Sequence, residues 1–277
     1  IIHSLSAREL WDSLMTNYPL INAIVEAMRP SVECNLFVDD FTISCRGRSM
    51  QSVQRQLQLC LNDLQKWYDT SGFRFSQTKT ICVHFCQQRR LHDGPSLTLN
   101  GHQLPVATKA KFLGVWFDKK LNFKDHISYV RGKCQKSLNL LRTLAHFNWG
   151  ADRKTLLQLF RSFVRPVLDY GCVVYGAARP SYLTRLGVVQ NQALRICLGA
   201  FRTSPIPSLH VEANELPIHL RREQLSLQYA TKLRSNPLNP AHNHVFNQRF
   251  TNFYNSKPSY IKPLSLRIKQ QMSSCLS

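Results

Sequence analysis

No stretch of this 277-residue chain is apolar for long enough to cross a membrane, since a span needs about 18 uncharged apolar residues in a row. Acidic side chains are scarce: 16 Asp and Glu face 36 Lys and Arg, for a formal net charge of +20. Eleven glycines and thirteen prolines are too few for a collagen-like or low-complexity chain. Paired CxxC spacing is missing, and the cysteines number nine, an odd count that fits a reduced intracellular protein better than a disulfide scaffold. There is no Gly-x-Ser-x-Gly, no P-loop, no dinucleotide fingerprint and no internal repeat. The opening Ile1-Ile2-His3-Ser4-Leu5 has neither Met nor the charged-then-apolar plan of a signal peptide. The chain is therefore expected to be a piece of something longer.

What is present is an ordinary globular balance, 43% hydrophobic and 19% charged, over a length that suits about two domains. The charge is unevenly spread. Residues 1–130 hold 15 basic and 11 acidic side chains, whereas residues 131–277 hold 21 and 5. A basic half beside a near-neutral half points to a polyanionic partner, either nucleic acid or an anionic membrane surface. Solubility alone, the plainer explanation for surface Lys and Arg, rarely needs so large an excess.

Residues 33–45 read as two short strands around Asp39-Asp40, with Phe, Val, Thr and Ile supplying strand propensity. Ser49 is placed to cap a helix in which Val53, Leu57, Cys60, Leu61, Leu64, Trp67 and Tyr68 recur at helical spacing, with Gly72 as its stop. Residues 79–86 return to strand character. Asn100-Gly101 between Leu97-Thr98-Leu99 and His102-Gln103-Leu104 is the strongest hairpin signal, because both positions of a type I′ turn need positive φ. A further strand is expected from Lys111 to Asp118. Beyond residue 120 the period becomes helical. One stripe runs through Ile127, Val130, Cys134, Leu138, Leu141 and Leu144; a second runs through Leu156, Leu157, Phe160, Phe163 and Val164 to Pro166. Two more helices are expected over about 181–198 and 217–234. Strands first and helices after place a boundary near 120 and give an α+β class. The tail from Asn236, proline-spaced and polar, reads as a basic linker-like or partly disordered segment.

Two local clusters carry chemistry. Asp39 and Asp40 at a hairpin tip could hold a divalent ion, since hard cations take carboxylate oxygens and a two-metal site steadies both oxygens of a phosphoryl transfer. An Asp-Asp pair is also ordinary turn chemistry. Cys82, His84 and Cys86 alternate on one strand face, but same-face neighbours lie roughly 6–7 Å apart, a long step for tetrahedral zinc, and no second cluster completes the set. The helical stripes, lying in series, can bury one another and so read as core rather than membrane anchors.

Phe37-Val38-Asp39-Asp40 resembles the aromatic-x-Asp-Asp box of reverse transcriptases, and the segments C-terminal to it are similar in order and spacing to those of the non-LTR retrotransposon branch. Gly72-Phe73-Arg74-Phe75-Ser76-Gln77-Thr78-Lys79-Thr80 resembles the Lys-Thr segment behind the palm helix. Lys111 through Asp118, with Leu121 and His126-Ile127, resembles the primer-grip strand and its exit to the thumb. Arg161-Ser162 through Cys172, Gln190 through Arg195, and Gly199 through Pro205 resemble the helical region after the palm. The resemblance spans roughly residues 20–235. It implies a truncated polymerase palm (hairpin, helix, short strands) over 20–120 and an α-helical thumb-like bundle over 121–235. An unmatched segment 1–19 would precede them, and the tail 236–277 would come last. It implies that Asp39 binds metal with Asp40 as its neighbour, that Lys79 lies near the phosphates of the incoming nucleotide, and that Phe112, Leu113 and Gly114 hold the primer end. The implied reaction is RNA-directed DNA synthesis with Mg²⁺ in the complete enzyme, on an RNA template and a DNA primer. A nuclear setting, no membrane, and the N-terminal part of the same polyprotein as a partner go with it.

The departures are equally specific. The family uses another catalytic aspartate on an upstream strand and a Pro-Gln-Gly segment, and neither occurs here; Arg8, Glu9, Trp11 and Asp12 match neither pattern. One carboxylate hairpin cannot build a two-metal clamp, so the chain alone is expected to be inactive. Two readings stand: a fragment of a reverse transcriptase, and a non-catalytic nucleic-acid-binding remnant or domesticated transposon protein. In both, phosphate contacts are expected from Arg131, Lys133, Lys136, Arg153, Lys154, Arg161, Arg165, Arg221 and Arg222, basic side chains on the polar faces of the helical half.

Overall fold

The computed structural model describes residue 24 and residues 28–37, 40–72, 75–86, 94–247, 251–256 and 260–276. It is a mixed α+β structure that divides into two compact units, residues 1–121 and 122–277.

In the first unit, β1 (Glu33–Phe37) and β2 (Asp40–Ser44) form an antiparallel pair in which Phe37 stands opposite Asp40 and Cys34 opposite Ile43. Helix α1 (Met50–Ser71) comes next. Ser49 precedes it in extended backbone but makes no side-chain cap, and Gly72 ends it in the left-handed region, its N–H donating to Tyr68 O. The apolar stripe of α1 buries Leu57, Cys60, Leu61 and Leu64 against Phe41, Leu97 and Leu99. Each such aliphatic side chain contributes about 1.5–3 kcal/mol through lost contact with water.

The hairpin at Asn100-Gly101 forms as read: β4 (Thr98–Leu99) pairs with β5 (His102–Gln103), and the two turn residues take φ of 51° and 74°. Two neighbouring strands depart from the sequence reading. The strand expected over 79–86 is only β3 (Cys82–Val83), parallel to β6 (Val106–Ala107). Its partner is bounded by Pro105, which has no N–H to donate, and by the bend at Thr108, so the ladder is two residues long. The strand expected from Lys111 to Asp118 is a hairpin, β7 (Lys109–Phe112) against β8 (Val115–Asp118). Leu113 and Gly114 make the turn with φ of 44° and 80°, the paired positive values that suit strand twist.

The second unit is helical. Helix α2 (Lys124–Leu144) buries Ile127, Val130, Cys134, Leu138 and Leu141 and packs most extensively on α6 (Pro180–Leu198). Between them Arg153–Asp169 runs as one rod: α3 (Arg153–Leu159), a π segment (Phe160–Val164) and α4 (Arg165–Asp169). Pro166 would strike the carbonyl four residues back in a regular helix; the wider π turns, seen in the bond from Arg165 N–H to Phe160 O, make room for its ring. The same re-registering turns Phe163 outward to 46% exposure, although its spacing reads as core. The short α5 (Cys172–Tyr175) brings Tyr175 fully inside, where its hydroxyl donates to Leu168 O.

Helices α7 (Ile206–Ala213) and α8 (Ile218–Arg234) complete the bundle. The tail is not a linker. It forms α9 (Ala241–Phe246), α10 (Thr251–Ser256) and α11 (Leu264–Leu276), and Val245 and Ile268 join Ala230 and Leu233 of α8 in a separate small core. Its sparse apolar residues are enough to fold because α8 offers them a ready apolar face.

Candidate functional site

The carboxylate pair sits at the β1–β2 connection. Asp40 opens β2 and is buried at 8% exposure; Asp39, like Val38, lies outside the described residues, as do Glu9 and Asp12. Lys79 is exposed in the turn after Ser76, to whose carbonyl its N–H donates at 3.3 Å. The next residue, Thr80, is buried and donates its hydroxyl to the same carbonyl at 2.7 Å. Phe112 ends β7, and Leu113-Gly114 form the hairpin turn beyond it.

The described residues among these do not converge on one hollow. A cavity of about 830 Å³ lies within the first unit, and Phe112, Thr80 and Phe41 line it together with Leu57, Leu61 and Leu104. Asp40, Lys79, Leu113 and Gly114 are not among its walls. Among the described residues no three His, Cys, Asp or Glu side chains gather to hold a metal ion. The described residues alone do not supply the donor set that a pair of Mg²⁺ ions needs.

The basic residues of the second unit sort into two kinds. Arg131, Lys133, Lys136 and Lys154 are exposed; Lys133 rests its ammonium 5.1 Å from the ring centre of Tyr129. Four of the others are held by carboxylates. Arg161 donates to Glu215 at 2.7 Å, Arg165 reaches the other oxygen of Glu215 at 3.2 Å and Asp169 at 3.8 Å, and Arg221 pairs with Asp169 at 3.0 Å. Arg153 pairs with Glu212. Arg161, Arg165, Asp169 and Arg221 line a hollow of about 700 Å³ on the second unit. Arg222 is taken largely out of water, which holds its guanidinium below the usual value, and one of its amino groups has no acceptor. Arg267, on α11, is pushed down to about 10 by burial and donates to Val173 O at 2.6 Å. Four of the nine cations expected to meet phosphate are therefore paired with carboxylates of the fold, and a fifth, Arg222, is largely buried.

Sequence reasoning missed Glu215 and Asp169 as the organisers of this cluster. A signal existed: only five acids follow residue 130 against 21 cations, so a carboxylate there is heavily outnumbered by side chains able to pair with it.

The chain is similar to curated proteins of mobile elements. Against the RNA-directed DNA polymerase from mobile element jockey of Drosophila melanogaster it is 26% identical over 198 residues, 69% of this chain and 21% of that protein. Against the Retrovirus-related Pol polyprotein from type-1 retrotransposable element R1 of Bradysia coprophila it is 26% identical over 193 residues, 69% of this chain and 19% of that protein. Against the Putative 115 kDa protein in type-1 retrotransposable element R1DM of Drosophila melanogaster it is 22% identical over 231 residues, 83% of this chain and 22% of that protein. The chain spans about a fifth of the length of these relatives. No family model and no solved structure matches it. The resemblance read from the sequence is borne out as a similarity: several RNA-directed DNA polymerases and Pol polyproteins of non-LTR retrotransposons match this chain at 22–26% identity.

Proposed function

We propose that this chain is a portion of a retrotransposon reverse transcriptase which holds nucleic acid but does not polymerise by itself. In this reading residues 20–120 are a partial palm, and residues 121–235 are the thumb region that grips an RNA template paired to a DNA primer. The observation that carries it is the position of Asp40: in a chain similar to RNA-directed DNA polymerases, Asp40 opens β2 directly opposite Phe37 in an antiparallel pair. A hairpin fixes such carboxylates more firmly than a long loop could.

Mg²⁺ belongs, in this reading, to the complete polymerase, to which the chain contributes Asp39 and Asp40 while an upstream strand supplies the other carboxylate. Lys79, exposed on its turn, would meet the charge that builds on the nucleotide phosphates. Binding needs none of this. It rests on the exposed cations of α2 and α3, and it would persist in a decayed or domesticated remnant.

The test pairs two assays on the 277-residue protein. It should bind a DNA-primed RNA template with an affinity that falls steeply as salt rises, and it should extend that primer not at all with Mg²⁺ present. Affinity indifferent to salt would remove the binding half of the proposal. Primer extension by this chain alone would show that it already holds a complete site.

A further inference from the structure

We propose that one end of the helical unit is a stacking platform for single-stranded nucleic acid, with Phe147, Trp149 and Phe201 as the rings that receive bases. This rests on the nucleic-acid reading above and adds a ligand form and a site to it.

The rings are conspicuous by their exposure. Phe147 is 100% exposed, Phe201 82% and Trp149 63%. One aromatic ring in water is common, but three on adjacent connections leave unburied the kind of surface that folding normally hides. Their adjacency is set by two contacts. Cys197, near the end of α6, donates its thiol to Leu156 O at 3.4 Å, which sets the α6–α7 connection beside the first turn of α3. The ion pair from Arg153 to Glu212 sets the end of α7 beside the same turn. The α2–α3 connection carries Phe147 and Trp149, and the α6–α7 connection carries Phe201, so all three lie at this end.

The α2–α3 connection is braced, not loose. Ala151 N–H donates to Leu144 O and Gly150 N–H to His146 O, both at 2.8 Å, while Asn148 N–H donates to His146 Nδ1 at 3.2 Å. A side chain at Gly150 would place its Cβ 2.2 Å from His146 O, so only glycine fits. His146 stacks on Trp149 with ring centres 4.9 Å apart and planes 17° apart, which holds the indole from one side. Asp152 then caps α3 through Lys154 N–H. A loop fixed in this way presents Phe147 outward without an ordering cost on binding.

Charge selects the partner. Arg142, Lys154 and Arg202 are exposed at this end, and none of them is in an ion pair among the described residues. Of the acids nearby, Asp152 is engaged as the cap and Glu212 by Arg153. Flat rings between unpaired cations match a strand whose bases are free to stack and whose phosphates need counter-charge.

The experiment uses the full chain and two labelled probes read by anisotropy, a 20-nucleotide oligothymidylate and an abasic strand with the same number of phosphates. Oligothymidylate should bind more tightly than the abasic strand. Phe147→Ala, Trp149→Ala and Phe201→Ala should each weaken oligothymidylate binding at least about fivefold with an unchanged salt slope, and should leave abasic binding alone. Phe147→Leu, which keeps an apolar side chain but no flat ring, should behave like Phe147→Ala, and Phe147→Trp should bind as the parent does. Equal affinity for both probes, with the variants indistinguishable from the parent, overturns the platform and leaves the nucleic-acid reading standing. Failure to bind any oligonucleotide overturns both. Binding to phosphatidylserine–phosphatidylcholine vesicles that Phe147→Ala abolishes, with oligothymidylate binding untouched, assigns these rings to a membrane and also overturns the platform.

Discussion

The Nε of Arg161 lies 2.7 Å from Oε1 of Glu215, a carboxylate whose side chain is only 3% exposed, and Arg165 reaches its other oxygen at 3.2 Å. The pair ties the π segment to the loop just after α7. Replacing Glu215 with Gln keeps the shape but removes the buried charge that two partly exposed guanidinium groups share. Loss of one partner of a fully buried pair costs about 3–5 kcal/mol, and the partial exposure of both arginines puts this loss at or below the lower end of that range. The urea midpoint of Glu215→Gln should fall accordingly, and an unchanged midpoint would show that the contact contributes nothing.

The division of the cations into paired and unpaired makes a second expectation. Neutralising Arg131, Lys136 or Lys154 should weaken binding of any sequence and lower the salt slope by about 1 each. Arg221→Gln should leave the slope unchanged and reduce stability instead, because its charge is already matched by Asp169 at 3.0 Å. Titrations at several salt concentrations separate the two sets.

At the β7–β8 turn Gly114 holds φ at 80°, a value that costs a residue with a Cβ about 1–2 kcal/mol. Gly114→Ala should therefore lower the stability of the first unit by that amount. Trp116, on β8, reports its unfolding by fluorescence.

Alkaline pH should destabilise the helical unit. Burial pushes the thiols of Cys134 and Cys197 up to about 12 and that of Cys172 up to about 11, from an ordinary value of 9.0. Below pH 9 the thiols are protonated whether the chain is folded or not, and the stability is complete. As pH rises from 9 toward 12 the unfolded chain ionises first, so stability falls. Arg267, pushed down to about 10, acts in the opposite sense above that pH, which makes pH 9–10 the clean window. Urea midpoints across that window should drop, and a thiol reagent should label these three cysteines only as the protein unfolds.

The sequence made the long elements legible and the short ones ambiguous. α1, α2, α6 and α8 were readable because each buries a stripe that recurs over several turns, as Leu57, Cys60, Leu61 and Leu64 do. The Asn100-Gly101 turn was readable because both residues tolerate positive φ. Leu113-Gly114 adopts the same kind of turn, but leucine is not a turn residue, so a hairpin read as one strand. The tail misled because Val245 and Ile268 are few and far apart; their burial depends on α8, which no local pattern reveals. The charge excess pointed to a polyanion, yet it could not distinguish Arg161, claimed by Glu215, from the exposed Lys136, because pairing across 54 residues leaves no trace in spacing.

The most direct test of the polymerase assignment is Mg²⁺-dependent primer extension on an RNA template by the protein expressed from the same reading frame extended upstream. The parent protein should extend the primer, and Asp39→Ala should lower the rate at least about a hundredfold while template binding persists, since metal-held charge stabilisation contributes several kcal/mol. Extension at the parental rate by the Asp39→Ala protein would contradict the assignment of this hairpin to a polymerase site.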